Sequence, residues 1–204
     1  MLGLYLADRV PAWTGSDYGW VGKRPKWVAA DAGLMANLLG WNEEEVYMDG
    51  ARSGKFVETW VYQQLAALAE AEGGYSIWHY RDAKKRKIDW LVEREDGALL
   101  GVEVKAGAAG AEDFRHLRWF GENATKGPFT GVVLYGGQDV LRFGEGYYAL
   151  PLGALGLESW DAMKDVDLNP RPSKCRPGLS KLSQPIRSPS AFPSATRQTT
   201  GTCP

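Results

Sequence analysis

Cysteine is nearly absent from this chain. Its 204 residues hold two, Cys175 and Cys203. Both lie outside any periodic segment, which argues against a structural disulfide and against a zinc site and favours a reducing cytoplasm. Histidine is as scarce: His79 and His116 fall in different predicted elements, so a nucleophilic triad is hard to build and both read as structural or surface residues. No apolar run approaches the roughly 18 residues of a membrane helix. The start, Met1-Leu2-Gly3-Leu4-Tyr5-Leu6, lacks a basic leader and meets Asp8 and Arg9 early, unlike a signal peptide. Acids are missing from the far end: no Asp or Glu follows Asp167, whereas Arg171, Lys174, Arg176, Lys181, Arg187 and Arg197 do. Removing those six from the 24 basic residues leaves 18 against 25 acids, so residues 1–167 carry a charge of -7. That is a poor match to a simple DNA-binding surface, which is basic.

What is present is enough for one sizeable core, at 44% hydrophobic content. Ile88-Asp89-Trp90-Leu91-Val92 and Gly101-Val102-Glu103-Val104-Lys105-Ala106 alternate apolar and polar residues, the period of strands. Between them, Glu95-Asp96-Gly97 supplies a glycine for the positive φ of a tight turn. A hairpin centred on Asp96 sets Trp90 against Val102, Val92 against Leu100, Ile88 against Val104, and Asp89 against Glu103. One face is then apolar. On the other, two carboxylates oppose each other with Lys105 nearby, and like charges across a ladder call for a cation, a divalent metal being the obvious candidate.

Around this hairpin the chain reads as mixed α/β. Thr14–Gly22 reads as a loop, and Lys23-Arg24-Pro25-Lys26 as either a solvated loop or a phosphate contact. A short helix runs from Asp31, its N-cap, to Leu39. Glu43-Glu44-Glu45 is solvated surface or a helix start. Val57, Val61, Leu65 and Leu68 mark a helix from Gly54 to about Glu72, stopped by Gly73-Gly74. Glu58 falls in its first predicted turn, placed there either for the helix dipole or for a site. Tyr75–Arg81 is a strand, and the basic turn Lys84-Lys85-Arg86-Lys87 leads to Asp89 as a solvated turn or a phosphate contact. A helix over 111–122 turns Phe114, Leu117 and Phe120 inward. Thr130–Tyr135 is a strand buried on both faces, and Val140–Phe143 and Tyr147–Leu150 form a hairpin before a short helix at Pro151. From about Leu168, seven of the 11 prolines gather with Ser and Thr, the composition of a disordered tail over 168–204.

Asp89 followed by Glu103-Val104-Lys105, behind a helix carrying Glu58, resembles the PD-(D/E)xK, restriction-endonuclease-like fold. Six stretches in order, Lys26-Trp27-Val28 with Asp31-Ala32-Gly33-Leu34, Gly54-Lys55-Phe56-Val57-Glu58, Trp78-His79-Tyr80-Arg81-Asp82, Ile88–Val92, Gly101–Gly107 and Tyr148-Ala149-Leu150-Pro151-Leu152, make residues 23–155 similar to the C-terminal domain of unknown function of prokaryotic AAA-type ATPases. The resemblance implies a central mixed sheet flanked by helices over 51–160, with residues 1–50 a linker, a short helix and the remnant of a winged helix. It implies Mg²⁺ or Mn²⁺ held by Asp89, Glu103 and the Val104 carbonyl, Lys105 positioning the attacking water or stabilising the developing negative charge, and Glu58 serving a second ion or a metal-bound water. No G-x-x-x-x-G-K-[ST] occurs, so no ATP site is expected and the chain reads as a truncated relative. Three functions remain open: a metal-dependent DNA endonuclease, a non-catalytic module binding a protein partner or a second copy, and a plain polar sheet face whose acids pair with Lys87 and Lys105.

Overall fold

Strands that alternate side chains against two apolar helices are buried on both faces, and here that produces a layered α/β domain. The computed structural model describes residues 6–15 and 23–155. The expected tail and most of the loop before Lys23 lie outside them. In chain order the elements are β1 (Ala7–Val10), β2 (Lys26–Ala29), α1 (Ala32–Leu38), α2 (Glu43–Met48), α3 (Gly50–Glu72), β3 (Tyr75–Arg81), β4 (Lys87–Arg94), β5 (Leu99–Lys105), α4 (Arg115–Asn123), β6 (Phe129–Tyr135), β7 (Leu141–Gly144) and β8 (Tyr147–Pro151). A 3₁₀ turn over Ala111–Phe114 leads into α4, and another over Leu152–Leu155 follows β8.

Six strands form one mixed sheet in the order β3-β4-β5-β6-β8-β7. β3, β4 and β5 run antiparallel, β5, β6 and β8 parallel, and β7 returns antiparallel to β8. α3 covers one face, setting Val61, Tyr62 and Leu65 against Trp90, Val102, Val132 and Leu134. α4 covers the other with Leu117 and Phe120, joined by Phe114, against Leu91, Leu99, Val133 and Ala149. Phe114, Leu117 and Phe120 are fully buried, as their helical spacing predicts. Gly101 and Gly131 are paired across β5 and β6. A Cβ on Gly101 would meet the Phe129 ring at 2.7 Å, and one on Gly131 the Tyr147 ring at 2.7 Å, so these glycines admit the aromatic layer beneath α4.

β1 and β2 form a separate antiparallel ribbon. It is joined to the main core, because Val10 and Val28 belong to the cluster around α3. The chain after β1 also meets the β3 edge: Trp13 N–H donates to the His79 carbonyl at 2.8 Å, and His79 N–H to the Pro11 carbonyl at 3.0 Å. Among the described residues, no helix is long and apolar enough to cross a membrane.

The central hairpin pairs as expected at Trp90↔Val102 and Val92↔Leu100, and Gly97 has φ 82°. Two sequence expectations need correction. The named ladder stops at Trp90↔Val102, so Asp89 and Glu103 are not one of its pairs. Nor does Ile88 join the α3 face. On β3 and β4, Trp78 pairs Leu91 and Tyr80 pairs Ile88, so two steps along β3 match three along β4. The extra β4 residue reverses the facing of what precedes it, and Ile88 packs in the α4 cluster.

A further correction concerns α3, which begins at Gly50 and not Gly54. Asp49 caps it, its carboxylate accepting from Ala51 N–H at 2.8 Å and Arg52 N–H at 3.3 Å. The added first turn is polar and small, so it carries no apolar periodicity to read. Glu58 is therefore in the third turn, beyond reach of the terminal dipole that the first turn feels.

Candidate active site

The irregularity in β4 places Asp89 at the end of the sheet where β4 begins and β5 ends. Asp89 and Glu103 are the only charged residues among the described buried side chains, each 6% exposed. Two buried carboxylates need compensation, and Lys87 supplies it. Its ammonium lies 3.1 Å from Asp89 Oδ1 and 3.8 Å from Glu103 Oε1. Val104 N–H donates to the other Asp89 oxygen, Oδ2, at 3.1 Å, which fixes the Asp89 carboxylate against β5. Glu103 is less well served: its Oε2 is buried with no hydrogen-bond partner.

The charges follow from this packing. Burial, reinforced by Asp89, pushes the Glu103 carboxyl up to about 7, against the pull of Lys87 and Lys105. Burial lowers the Lys87 ammonium pKa, but Asp89, Glu103 and Glu58 together outweigh it and hold it above the usual lysine range. The acid pair thus already holds a cation at its mouth.

Glu58 stands on α3 at one wall of the adjoining cleft and forms an ion pair with Lys26, the first residue of β2. Lys55 is a second, looser partner at 3.7 Å. Lys26 also donates to the Asp89 carbonyl at 3.3 Å and lies 3.6 Å from the centre of the Trp90 ring, a cation–π contact. Burial works against both charges of the Lys26–Glu58 pair. In Lys26 burial prevails and the ammonium pKa is lowered. In Glu58 the charge and hydrogen bond of Lys26, helped by Lys55 and Lys87, overcome burial and hold the carboxyl below its usual range.

The remaining sequence candidates are dispersed. Lys105 pairs with Asp113 of the 3₁₀ turn at 3.0 Å, so of the two lysines the sequence offered to the acid pair, Lys87 alone bridges it. In the basic turn, Arg86 bonds Asp82 at 2.6 Å and stacks 3.2 Å from the Trp119 ring centre, which occupies its guanidinium. Lys84 and Lys85 are exposed. His116 Nδ1 lies 3.2 Å from the Lys87 carbonyl and His79 Nε2 3.3 Å from the Arg24 carbonyl.

Lys26 is the residue that the sequence reading missed. Its only signal was the basic tetrad ahead of a strand, and nothing in the spacing connects it to Glu58, 32 positions on. Lys87 belongs by sequence both to the basic turn and to the acid face, since two residues' separation from Asp89 in a strand puts both on one side.

Chemically, the arrangement offers two close carboxylates, one with an unsatisfied oxygen, beside a cleft lined by four ammonium or guanidinium groups, those of Arg24, Lys26, Arg81 and Lys87. Among the described residues, no group of three or more His, Cys, Asp or Glu converges as a metal cage. A site of this kind has two carboxylates to give and draws its other oxygens from the backbone and water, which suffices for Mg²⁺. The family model for Domain of unknown function (DUF4143) matches residues 53–155, 103 of the 204 positions. That span holds Glu58, Asp89, Glu103 and Lys105, while Lys26 lies ahead of it. No curated protein and no solved structure matches this chain. With half of its length inside that match, the chain belongs to the DUF4143 family of domains of unknown function.

Proposed function

We propose that this domain is a restriction-endonuclease-like, PD-(D/E)xK hydrolase that cuts phosphodiester bonds of DNA with Mg²⁺ or Mn²⁺, and that it accompanies AAA-type ATPase domains. The observation that carries the reading is the acid pair: two carboxylates at one sheet end, a shared Lys87 ammonium, and a buried Glu103 oxygen with nothing bound to it. An orphaned buried carboxylate oxygen costs free energy unless a cation or donor meets it. The donor set therefore fits a divalent ion, which Asp89, Glu103 and the Val104 carbonyl would hold. Bound there, it would supply polarisation of the scissile phosphate and a more acidic water.

The chain's own residues do the rest. Val104 N–H holds the Asp89 carboxylate in one orientation. Lys87 is placed to stabilise negative charge as it develops on the phosphate, the part the resemblance gave to Lys105. Lys105 acts on Glu103 through its charge while its ammonium is bonded to Asp113. Glu58, neutralised by Lys26, fixes the far wall of the cleft. A direct test is to incubate the purified protein with supercoiled plasmid in Mg²⁺, in Mn²⁺ and in chelator. Nicking that requires the divalent ion is expected, and equal background nicking in all three would refute the activity.

A second reading, a partner-binding module that keeps the fold without the chemistry, is favoured by the apolar surface of α1 and α2, where Leu38 is 69%, Tyr47 84% and Met48 76% exposed. Large apolar side chains left exposed on two successive helices suit an interaction surface. That reading predicts no metal-dependent cleavage.

A further inference from the structure

Beside the acid pair is a cleft of about 530 Å³, lined by Arg24, Lys26, His79, Arg81 and Lys87 against only two carboxylates, Glu58 and Asp89. Its volume falls in the range of sites that take a small ligand or one unit of a chain. The acids are already engaged, Glu58 by Lys26 and Asp89 by Lys87. Among the described residues this leaves Arg24 and Arg81 facing the cleft with no carboxylate partner. Burial, with the nearby Lys26, Lys23 and Arg81, lowers the His79 pKa against the hydrogen bond to the Arg24 carbonyl. With four cations against two anions, the cleft is net positive in a chain whose first 167 residues carry -7.

The ladder gives a second, independent sign of a missing anion. Arg81 and Lys87 are direct cross-strand partners on β3 and β4. Like charges in that position repel, and the carboxylates near Lys87 lie on the acid-pair side. An anion entering the cleft would relieve the repulsion from the Arg81 side. Guanidinium groups suit phosphate because they offer two parallel N–H donors to two oxygens.

We infer that Arg24 and Arg81 form a subsite for one backbone phosphate of a nucleic-acid strand, adjacent to the phosphate presented to Asp89 and Glu103. The inference rests on the hydrolase reading for its ligand class. The phosphate contacts are thereby assigned to the β2 entry and the end of β3, and not to Lys84 and Lys85 of the exposed turn.

The test is fluorescence anisotropy with a short labelled single-stranded oligodeoxynucleotide, in chelator and over a series of salt concentrations. Wild type is expected to bind with salt-dependent affinity. Arg24→Gln with Arg81→Gln should weaken binding about tenfold or more and reduce the slope of log affinity on log salt by roughly 0.7, the value for one phosphate of a single strand. Lys84→Gln with Lys85→Gln should stay within about twofold of wild type, because a solvated lysine adds only a diffuse contribution. Arg24→Lys with Arg81→Lys should recover the slope, which separates lost charge from lost folding. The subsite is overturned if wild type shows no salt-dependent binding, if the Arg→Gln pair binds like wild type, or if the Lys84 and Lys85 pair loses as much. Because no divalent ion is present, the result does not depend on whether the strand is cut: loss of metal-dependent nicking with this binding intact would sink the hydrolase reading alone.

Discussion

Asp89→Asn is expected to lower the proposed metal-dependent cleavage by about a thousandfold, equivalent to ~4 kcal/mol of transition-state stabilisation. The substitution keeps the size of the side chain and one acceptor oxygen, so the hydrogen bond from Val104 N–H at 3.1 Å can persist. What it removes is the charge that Lys87 meets at 3.1 Å and that the proposed ion would meet as well. A buried carboxylate contributes more at such a place than an exposed one, because little water screens it. Initial nicking rates of the two proteins, with circular dichroism to confirm the fold, make the comparison. Equal rates would remove Asp89 from the chemistry and leave the pair as a polar sheet face neutralised by Lys87.

Glu103→Gln is expected to stabilise the metal-free protein by about 3 kcal/mol near pH 8 and to flatten its pH dependence. The sign follows from the direction of the shift. The Glu103 carboxyl is raised from an ordinary 4.5 to about 7 by burial and by Asp89. Between those values the folded chain holds a proton that the unfolded chain releases, so stability falls as pH rises through this window, and the full cost is present above it. Glutamine has no proton to lose and escapes that cost. Urea unfolding near pH 5 and near pH 8 measures it: wild type should lose stability over this interval from Glu103, and the variant should not. A variant less stable than wild type at the higher pH would mean that the ion pair with Lys87 outweighs the burial of charge.

That an acid pair costs stability where it stands is consistent with a functional site, since a sheet face alone could be satisfied by uncharged residues. How much of this could be read from the chain depends on the range of the interactions. The hairpin around Gly97 and the inward set Phe114, Leu117 and Phe120 follow from periods of 2 and 3.6 and from one glycine, all local signals. The β6 strand was legible as a continuous apolar run because parallel strands between helix layers are buried on both faces.

The departures are non-local. Ile88 changes face because β4 has one residue more than β3 across a short stretch, and alternation cannot reveal an extra residue until the partner strand is known. The start of α3 was hidden because Gly50-Ala51-Arg52-Ser53 shows no apolar stripe; its signal is the Asp49 cap, a single residue. Lys26 meets Glu58, Trp90 and the Asp89 carbonyl from a different ribbon, a juxtaposition that only the tertiary fold supplies. The choice between Lys87 and Lys105 likewise turned on Asp113, which draws Lys105 into its own ion pair.

The central claim is that Asp89 and Glu103 form a cation site to which Lys87 is the resident counter-charge. Calorimetric titration of Mn²⁺ into wild type and into Glu103→Gln, both near pH 8, tests it most directly. The account predicts a single saturable site in wild type, weakened at least about tenfold or lost in the variant, since removing even a supporting group of a metal site costs that much. No binding to wild type, or equal binding to both proteins, would contradict it.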